Sequence, residues 1–217
     1  MIISTDSNGI EFWNTDTFKT LSQPAISLSG GADSAMLLYL LGQQSVDIIR
    51  PYFLHRRDEP HFLKPAQSVV EFMQLQYPDK IAPLEIKDIT GRESSIVRTN
   101  FEMTSYMEET YNCDIFLTGS TANPPDNAVP DIDSKRVLER SSCREVLFKK
   151  EDVSGNRLYY RPFSNVTKEF IAELYKKYGL LETLFPLTLS CIYTTDITHC
   201  GKCWWCKERY WAFKCYE

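Results

Sequence analysis

The chain has 217 residues, of which 43% are hydrophobic and 24% are charged, and its formal net charge is -5. This length is enough to bury a sizeable core, so disorder is excluded as the main state. No apolar run approaches the length that a membrane-spanning helix needs, and the acidic charge argues against nucleic acid as a partner. We therefore expect a soluble globular protein that acts on a small molecule.

The seven cysteines are odd in number and unevenly placed, since five of them follow residue 190. That is not the spread of a secreted disulfide framework. The first residues contain no basic segment followed by an apolar stretch, so no secretory signal is expected. The sequence thus favours a reduced, cytoplasmic compartment.

Short apolar runs alternate with longer amphipathic ones through the middle of the chain. They predict strands and helices, in chain order, at residues 25–28 (strand), 34–41 (helix), 47–54 (strand), 64–77 (helix), 83–89 (strand), 95–111 (helix) and 114–118 (strand). Parallel neighbouring strands need crossover connections, and helices at this spacing supply them. The predicted fold class is α/β, a parallel sheet with helices on both faces.

The flanking parts of the chain predict a loop, two hairpins and a helix. Residues 120–133 are rich in proline and turn-forming residues, and we place this loop at the carboxyl edge of the sheet, where ligands of such sheets bind. A hairpin is predicted at 145–149 and 157–160, and an amphipathic helix at 167–178. Residues 1–13 predict a further hairpin.

A glycine-containing loop follows the strand predicted at 25–28. Residues 29–34 read S-G-G-A-D-S and lead into a helix. Adjacent glycines allow a tight turn with inward N–H groups, and the helix adds its positive N-terminal end, so the loop suits a phosphate. The alternative is a plain strand-to-helix connection capped by Asp33 or Ser34, and neither common nucleotide-binding glycine motif fits.

This loop resembles the S-G-G-x-D-S signature of the PP-loop ATP pyrophosphatase superfamily and matches each of its fixed positions. The resemblance implies an adenine nucleotide alpha hydrolase-like, Rossmann-like fold that binds ATP and lets a substrate oxygen attack the α-phosphorus. It also implies that Asp33 acts in catalysis and helps to hold a magnesium ion. The ATP-binding residues that it implies are Leu28, Ser29, Gly30, Gly31, Ala32, Asp33 and Ser34.

Four cysteines near the end of the chain have the spacing of a metal site. Gaps of eight, two and two residues separate Cys191, Cys200, Cys203 and Cys206. Two-residue gaps let a chain turn bring successive sulfurs to one tetrahedral ion, which favours a structural zinc site. An iron–sulfur cluster is the rival, since a C-x-x-C-x-x-C run also opens ferredoxin motifs. His199 as a replacement ligand and Cys215 as an additional one are minor alternatives.

The glycine loop and the cysteine cluster together resemble the 7-cyano-7-deazaguanine synthase family. The S-C…C-G-x-C-x-x-C-x-x-R…A-F stretch at the end of the chain is similar to the family pattern, as are Pro162, Lys168, Glu169 and Thr188 before it. The resemblance implies that 7-carboxy-7-deazaguanine is adenylated and reacts with ammonia, and that a second ATP dehydrates the amide to the nitrile. It also implies a structural zinc and a catalytic Lys168 facing phosphate, while a solvated lysine at a helix start is the alternative.

Two segments depart from the family pattern. Residues 53–57 read F-L-H-R-R where the family carries Y-G-Q-R-H, so His55 and Arg57 either keep part of that role or are simply exposed. Residues 119–126 replace the family segment that meets the deazapurine, which leaves the substrate open. The candidates for contacting a base edge or a second magnesium are Asp126, Asp131 and Asp133.

Two other functions stay open. A PP-loop sulfurtransferase for tRNA, or a reductase of adenylylated sulfate, would need a reactive cysteine away from the metal, either Cys113 or Cys143. A nucleotide- and zinc-binding module would bind ATP without releasing pyrophosphate.

We expect ATP, magnesium and zinc as cofactors and a small-molecule carboxylate and ammonia as reactants, and a homodimer is compatible with the sequence. We divide the chain into an N-terminal extension, an ATP-binding α/β domain and a zinc-binding segment, at residues 1–24, 25–185 and 186–217.

Overall fold

The computed structural model describes residues 2–6, 8–13, 23–55, 62–89, 96–129, 140, 144–152, 155–193 and 198–217. The strands in these ranges are β1 (Ile2–Ser4), β2 (Gly9–Glu11), β3 (Pro24–Ser27), β4 (Arg50–His55), β5 (Glu85–Asp88), β6 (Ile115–Thr118), β7 (Leu147–Asp152) and β8 (Gly155–Tyr160). The helices are α1 (Ala32–Gly42), α2 (Leu63–Gln76), α3 (Ile96–Tyr111), α4 (Lys168–Lys177) and α5 (Trp204–Phe213), with a 3₁₀ turn at Phe185–Leu187. None of these helices is both long and apolar enough to cross a membrane.

Six of the strands form one sheet in the order β5-β4-β3-β6-β8-β7. The first five in that order are parallel, and β7 pairs antiparallel with β8. Along the chain, the sheet grows from β3 to β4 and β5 and then returns past β3 to β6. This reversal creates a crevice at the carboxyl ends of β3 and β6, which is where open α/β sheets bind their ligands.

The two faces of the sheet carry separate cores. Ile26 and Phe53 belong to the main core, which also contains residues of α1, α2, α4 and α5, whereas Ala25 and Tyr52 belong to a smaller cluster with Met103 of α3. Successive side chains of a strand point to opposite faces, so α3 covers one face and the other four helices cover the opposite face. The predicted α/β class with helices on both faces is confirmed.

The predicted strands and helices of the α/β region are confirmed, with their ends shifted by a few residues. The hairpin predicted near residues 145–160 is also confirmed, and it joins the main sheet through pairing of β8 with β6. Because β7 is antiparallel, the sheet is mixed and not parallel throughout. Helix α5 was not predicted, since its apolar and polar residues show no helical periodicity.

The predicted N-terminal hairpin is confirmed as β1 and β2. Phe12 and Trp13 follow it and are buried next to the ring of Tyr160, whose hydroxyl accepts a hydrogen bond of 3.1 Å from the backbone N–H of Trp13. This segment therefore packs on the end of β8. The division of the chain after residues 24 and 185 stays a prediction.

Candidate active site and metal centre

The glycine loop lies at the carboxyl end of β3, on the crevice between β3 and β6. Gly30 has a φ of +75°, a backbone conformation that residues with a side chain rarely adopt. A Cβ atom at this position would stand 2.9 Å from the backbone oxygen of Phe62, at the start of α2. The loop can pass this close to α2 only because residue 30 is glycine.

Two serine hydroxyls hold the shape of the loop. The Oγ atoms of Ser29 and Ser34 lie 3.1 Å apart, and Ser34 Oγ also donates to the backbone oxygen of Gly31. None of the described side chains caps helix α1, so its first N–H groups are not occupied by a capping residue among them. An open helix N-terminus beside a tight glycine loop is an arrangement that suits a phosphate group.

Gly119 brings the end of β6 against the start of α1. A Cβ atom on Gly119 would stand 2.7 Å from the backbone nitrogen of Ser34 and 2.8 Å from the carbonyl carbon of Asp33. Real Cβ atoms essentially never come this close to backbone. Residue 119 must therefore be glycine for the crevice to have this width.

A buried chain of alternating charges begins at the glycine loop. Lys168 Nζ lies 3.2 Å from Asp33 Oδ2 and 3.1 Å from Glu208 Oε2. The other oxygen of Glu208 lies 3.1 Å from Arg140 Nη2. Glu208 is fully buried and Lys168 is 4% exposed, so these charges lie where solvent screens them little. Helices α1, α4 and α5 thus meet through one ionic network.

Asp33 has an oxygen that no residue of the described structure satisfies. Its Oδ1 atom is buried without a hydrogen-bond partner. Burial raises the pKa of this carboxyl, and the ammonium of Lys168 opposes that effect. A carboxylate oxygen without a hydrogen-bond partner, next to a loop that is suited to binding a phosphate, is well placed to be a ligand of a hard cation such as magnesium.

A cavity of about 320 Å³ opens beside this network. Its polar and charged lining residues include Ser29, Asp33 and Lys168, and its apolar lining residues include Leu28, Phe53, Leu54, Phe62, Leu189, Ile192 and Trp205. Its size is near the lower end of small-molecule sites, which span roughly 300–1,000 Å³. A lining that combines charged groups with aromatic and aliphatic side chains suits a planar ring that carries an anionic group.

The four predicted cysteines come together in the structure. The sulfurs of Cys191, Cys200, Cys203 and Cys206 all lie within 4.8 Å of one another. Among the described residues, this cluster consists of cysteines alone: His199 accepts a hydrogen bond from the backbone N–H of Ser190 and stacks on Tyr216, and Cys215 donates to the backbone of Phe213. The cluster is suited to one metal ion.

Backbone N–H groups donate to the sulfurs of Cys200 and Cys203. Cys203 N donates to Cys200 Sγ over 3.3 Å, and Cys206 N donates to Cys203 Sγ over 3.4 Å at the start of α5. Burial raises the pKa of the Cys200 thiol, but the backbone N–H groups of Cys203 and Lys202 lower it to about 6. These donors stabilise thiolate charge, which is the form that binds metals.

Arg209 fixes the cysteine-bearing helix to the segment before it. Its guanidinium is fully buried and donates to the hydroxyl of Thr188 at 2.9 Å and to the backbone oxygens of Phe185 and Tyr216. Burial lowers the pKa of Arg209 to about 10. Two residues before Cys191, the backbone N–H of Leu189 donates to the backbone oxygen of Gly30 at 2.9 Å. The cysteine cluster is therefore tied directly to the glycine loop.

Residues 146–217 match the family model described as queuosine biosynthesis protein QueC. The matched segment contains Lys168, Glu208 and all four cysteines of the cluster. The resemblance predicted from the sequence is confirmed over this segment. No curated protein sequence matches the chain.

The comparison with solved structures found similar chains of low sequence identity. The U34-tRNA thiolase NcsA from Methanococcus maripaludis, solved with its 4Fe-4S cluster, has a TM-score of 0.46 and 14% identity over 91% of this chain and 66% of its own. An FMN adenylyltransferase from Candida glabrata has a TM-score of 0.46 and 14% identity, and the match covers 73% of this chain and 51% of its own. An NMN synthetase from Francisella tularensis has a TM-score of 0.49 and 13% identity, and the match covers 86% of this chain and 74% of its own. The chain thus spans less than two thirds of the first two proteins.

Those of the other predicted candidates that the structure describes do not line the cavity. None of the described residues of the loop at 120–129 lines it, so the ligand space lies beside β4, α2 and α5 instead of under that loop. Asp126 is exposed, and His55 is half-buried next to the ring of Phe53. The candidates Arg57, Asp131, Asp133 and Cys143 lie outside the described residues.

Two residues of the ionic network were missed by sequence reasoning. Glu208 lies between Cys206 and Arg209, and it reads as one of several charges after a cysteine motif. Arg140 stands in a charged stretch with no motif, yet its guanidinium also binds the backbone oxygens of Thr121 and Ala122. The sequence offers one weak signal for each residue. Glu208 follows the cysteine motif, and Arg140 follows the loop after β6, so both belong to parts of the chain that lie close to the glycine loop.

Proposed function

We propose that this protein is an ATP-dependent enzyme of the PP-loop class that adenylates the carboxylate of a small planar heterocycle and joins it to ammonia. The observation that carries the proposal is the contact of Lys168 with Asp33 at the end of the glycine loop, on the edge of the cavity. The QueC match over residues 146–217 supports the same class of chemistry. The proposed substrate is 7-carboxy-7-deazaguanine or a close relative.

The proposed reaction has two stages. A carboxylate oxygen of the substrate attacks the α-phosphorus of ATP, the bond to the bridging oxygen breaks, and pyrophosphate leaves. Ammonia then attacks the acyl carbon, AMP departs with the former carboxylate oxygen, and an amide remains after loss of a proton. In a repeat of the first stage, the amide oxygen attacks a second ATP, and loss of AMP and a proton yields the nitrile.

The residues around the glycine loop would stabilise charge in this reaction, because phosphoryl and adenylyl transfer demand positioning and electrostatics more than covalent chemistry from the protein. The loop N–H groups and the Ser29 and Ser34 hydroxyls would hold the pyrophosphate end. Asp33 would hold magnesium, which neutralises phosphate charge when bound. Lys168 would face the negative charge that develops on the transferred group.

The proposed metal of the cysteine cluster is a structural zinc ion. A zinc–sulfur distance of about 2.3 Å in a tetrahedron sets neighbouring sulfurs about 3.8 Å apart. The sulfurs of Cys200 and Cys206 are 3.9 Å apart. Cysteines bound to different irons of a cluster would stand farther apart. Elemental analysis of the purified protein should find one zinc per chain, and iron in its place would overturn this assignment.

The test of the proposed function is turnover. The protein should convert 7-carboxy-7-deazaguanine, ATP, magnesium and ammonium into AMP and an amide or nitrile that mass spectrometry detects. AMP formation without either product would retain the adenylating class but reject ammonia as the acceptor. Absence of AMP with this and related heterocyclic carboxylates would reject the proposal.

The sulfur-transfer alternative depends on Cys143. Cys113 is 3% exposed in the small apolar core with Met103 and Phe116, and burial raises its pKa to about 12. A reactive thiol needs the opposite environment, one that is accessible and electropositive. Replacement of Cys143 by serine should leave AMP formation intact. Loss of AMP formation in this variant would favour sulfur chemistry.

A further inference from the structure

We propose that Glu208 is a positioning residue that shares the charge of Lys168 with Asp33 and so keeps Asp33 able to bind the magnesium ion that accompanies ATP. This inference rests on the proposed use of ATP at the glycine loop. It concerns a residue outside the glycine motif, on the helix that begins at the cysteine cluster. It therefore links the metal-bearing segment to the nucleotide site through one side chain.

The geometry places the ammonium of Lys168 between two carboxylates at nearly equal distances. Its Nζ atom is 3.1 Å from Glu208 and 3.2 Å from Asp33. An ammonium has three donors, and these two contacts use two of them. Lys168 also lines the cavity. The lysine thus lines the cavity while its charge is shared between two carboxylates and not paired with Asp33 alone.

Glu208 is fixed from its other side as well. Its Oε1 atom lies 3.1 Å from Arg140, whose guanidinium is tied to the backbone oxygens of Thr121 and Ala122. The next residue of α5, Arg209, is anchored by several hydrogen bonds of its own. Glu208 is fully buried, so it has no freedom to follow the lysine if the lysine moves.

The charges explain what this arrangement does. Asp33 and Glu208 are acidic and Lys168 and Arg140 are basic, so the network is balanced. The Asp33 Oδ1 atom is buried and accepts no hydrogen bond from any of the described residues, which leaves it available to a cation. If the charge of Glu208 is removed, Asp33 is the one counter-ion that the described part of the chain leaves to Lys168, and magnesium must compete with a closer ammonium. The same change makes the site more positive toward phosphate.

The inference therefore predicts two effects of opposite sign. In Glu208→Gln, the affinity for magnesium in the presence of nucleotide should fall by about tenfold, as expected for the loss of one charge in a partly desolvated network. The affinity for metal-free nucleotide should stay equal or rise. General damage to the fold would weaken both.

The experiment is a calorimetric titration with α,β-methylene ATP, which cannot release pyrophosphate, with and without magnesium. Glu208→Asp keeps the charge and should stay within about threefold of the wild type. Glu182→Gln removes an exposed carboxylate and is the matched control. The metal content of each variant shows whether the cysteine cluster is intact.

A second arm uses Lys168→Met, alone and combined with Glu208→Gln. The double variant removes one charge of each sign and keeps the network balanced, so it covers the case in which Glu208→Gln does not fold. Without the lysine, Glu208→Gln should lose most of its effect on magnesium affinity. An equally large effect in both backgrounds would overturn the inference.

The outcomes separate this inference from the proposed function. Suppose that the wild type binds the analogue with magnesium. If the affinity of Glu208→Gln for the analogue then depends on magnesium as in the wild type, or falls equally with and without magnesium, Glu208 has no positioning role and the proposed function stands. If the wild type does not bind the analogue in either form, the proposed function fails and the inference fails with it.

Discussion

The substitution Gly119→Ala tests whether the close contact between β6 and α1 is required for the nucleotide site. The new methyl group would stand 2.7 Å from the backbone nitrogen of Ser34 and 2.8 Å from the carbonyl carbon of Asp33. Both neighbours are backbone atoms, so no side-chain rotation can make room. The start of α1 must move away by about 0.7 Å to reach the ordinary contact distance of 3.4 Å.

The expected size of the effect follows from this overlap. Forcing an extra methyl group into a packed site destabilises a protein by about 1–3 kcal/mol, and backbone neighbours place this case in the upper half of that range. For a chain of this size, each kcal/mol lowers the melting temperature by about 2–4 °C, which gives a decrease of about 4–12 °C. A displacement approaching 1 Å at a site that works by positioning should lower AMP formation by about 10- to 100-fold.

The assay combines thermal melting with the rate of AMP formation at saturating ATP. Gly9→Ala is the matched control, because its Cβ would meet no atom closer than 3.7 Å. The control should melt and turn over like the wild type. A Gly119→Ala variant that also matches the wild type in both measurements would show that the crevice tolerates a side chain, and the steric argument for the site would be wrong.

Three further predictions concern other parts of the molecule. Lys168→Met should lower kcat for AMP formation by about 10²- to 10³-fold and should also destabilise the protein, because it leaves the carboxylates of Asp33 and Glu208 without their shared counter-ion. Lys176→Met on the exposed side of the same helix should change neither property, and equal rates per folded protein for the two variants would contradict a role for Lys168. Cys203→Ser should lose the bound metal, with a lower melting temperature measured by scanning fluorimetry, and retention of one metal per chain would contradict the four-cysteine site. Arg209→Met should destabilise the protein in urea unfolding by about 1–3 kcal/mol for each buried acceptor that it leaves unpaired, among them the Phe185 carbonyl, and a total loss below 1 kcal/mol would show that the buried guanidinium is dispensable.

The central part of the fold could be predicted because its local signals agree. Alternating apolar runs mark β3, β4 and β6, and the amphipathic helix at α4 has an apolar face and a glycine after it. The glycine loop and the four cysteines could be found as motifs, since each has a spacing that follows from its chemistry. These features depend on residues close together in the chain.

The rest of the site depends on contacts between distant residues, which no local pattern records. Glu208 and Lys168 are forty residues apart in the chain, and their contact arises only because α4 and α5 pack side by side. Helix α5 itself was missed because tryptophan and cysteine positions gave it no amphipathic face. The cavity lies beside Phe62 and Trp205, not under the loop after β6, because α2 and α5 enclose that side of the glycine loop.

The most direct test of the central claim follows the oxygen of the substrate. The heterocyclic carboxylate labelled with oxygen-18 is incubated with the protein, ATP, magnesium and ammonium, and the nucleotide products are analysed by mass spectrometry. Adenylation predicts AMP that carries one labelled oxygen, together with unlabelled pyrophosphate. Formation of ADP with the label in inorganic phosphate would contradict attack at the α-phosphorus, and with it the function proposed for this site.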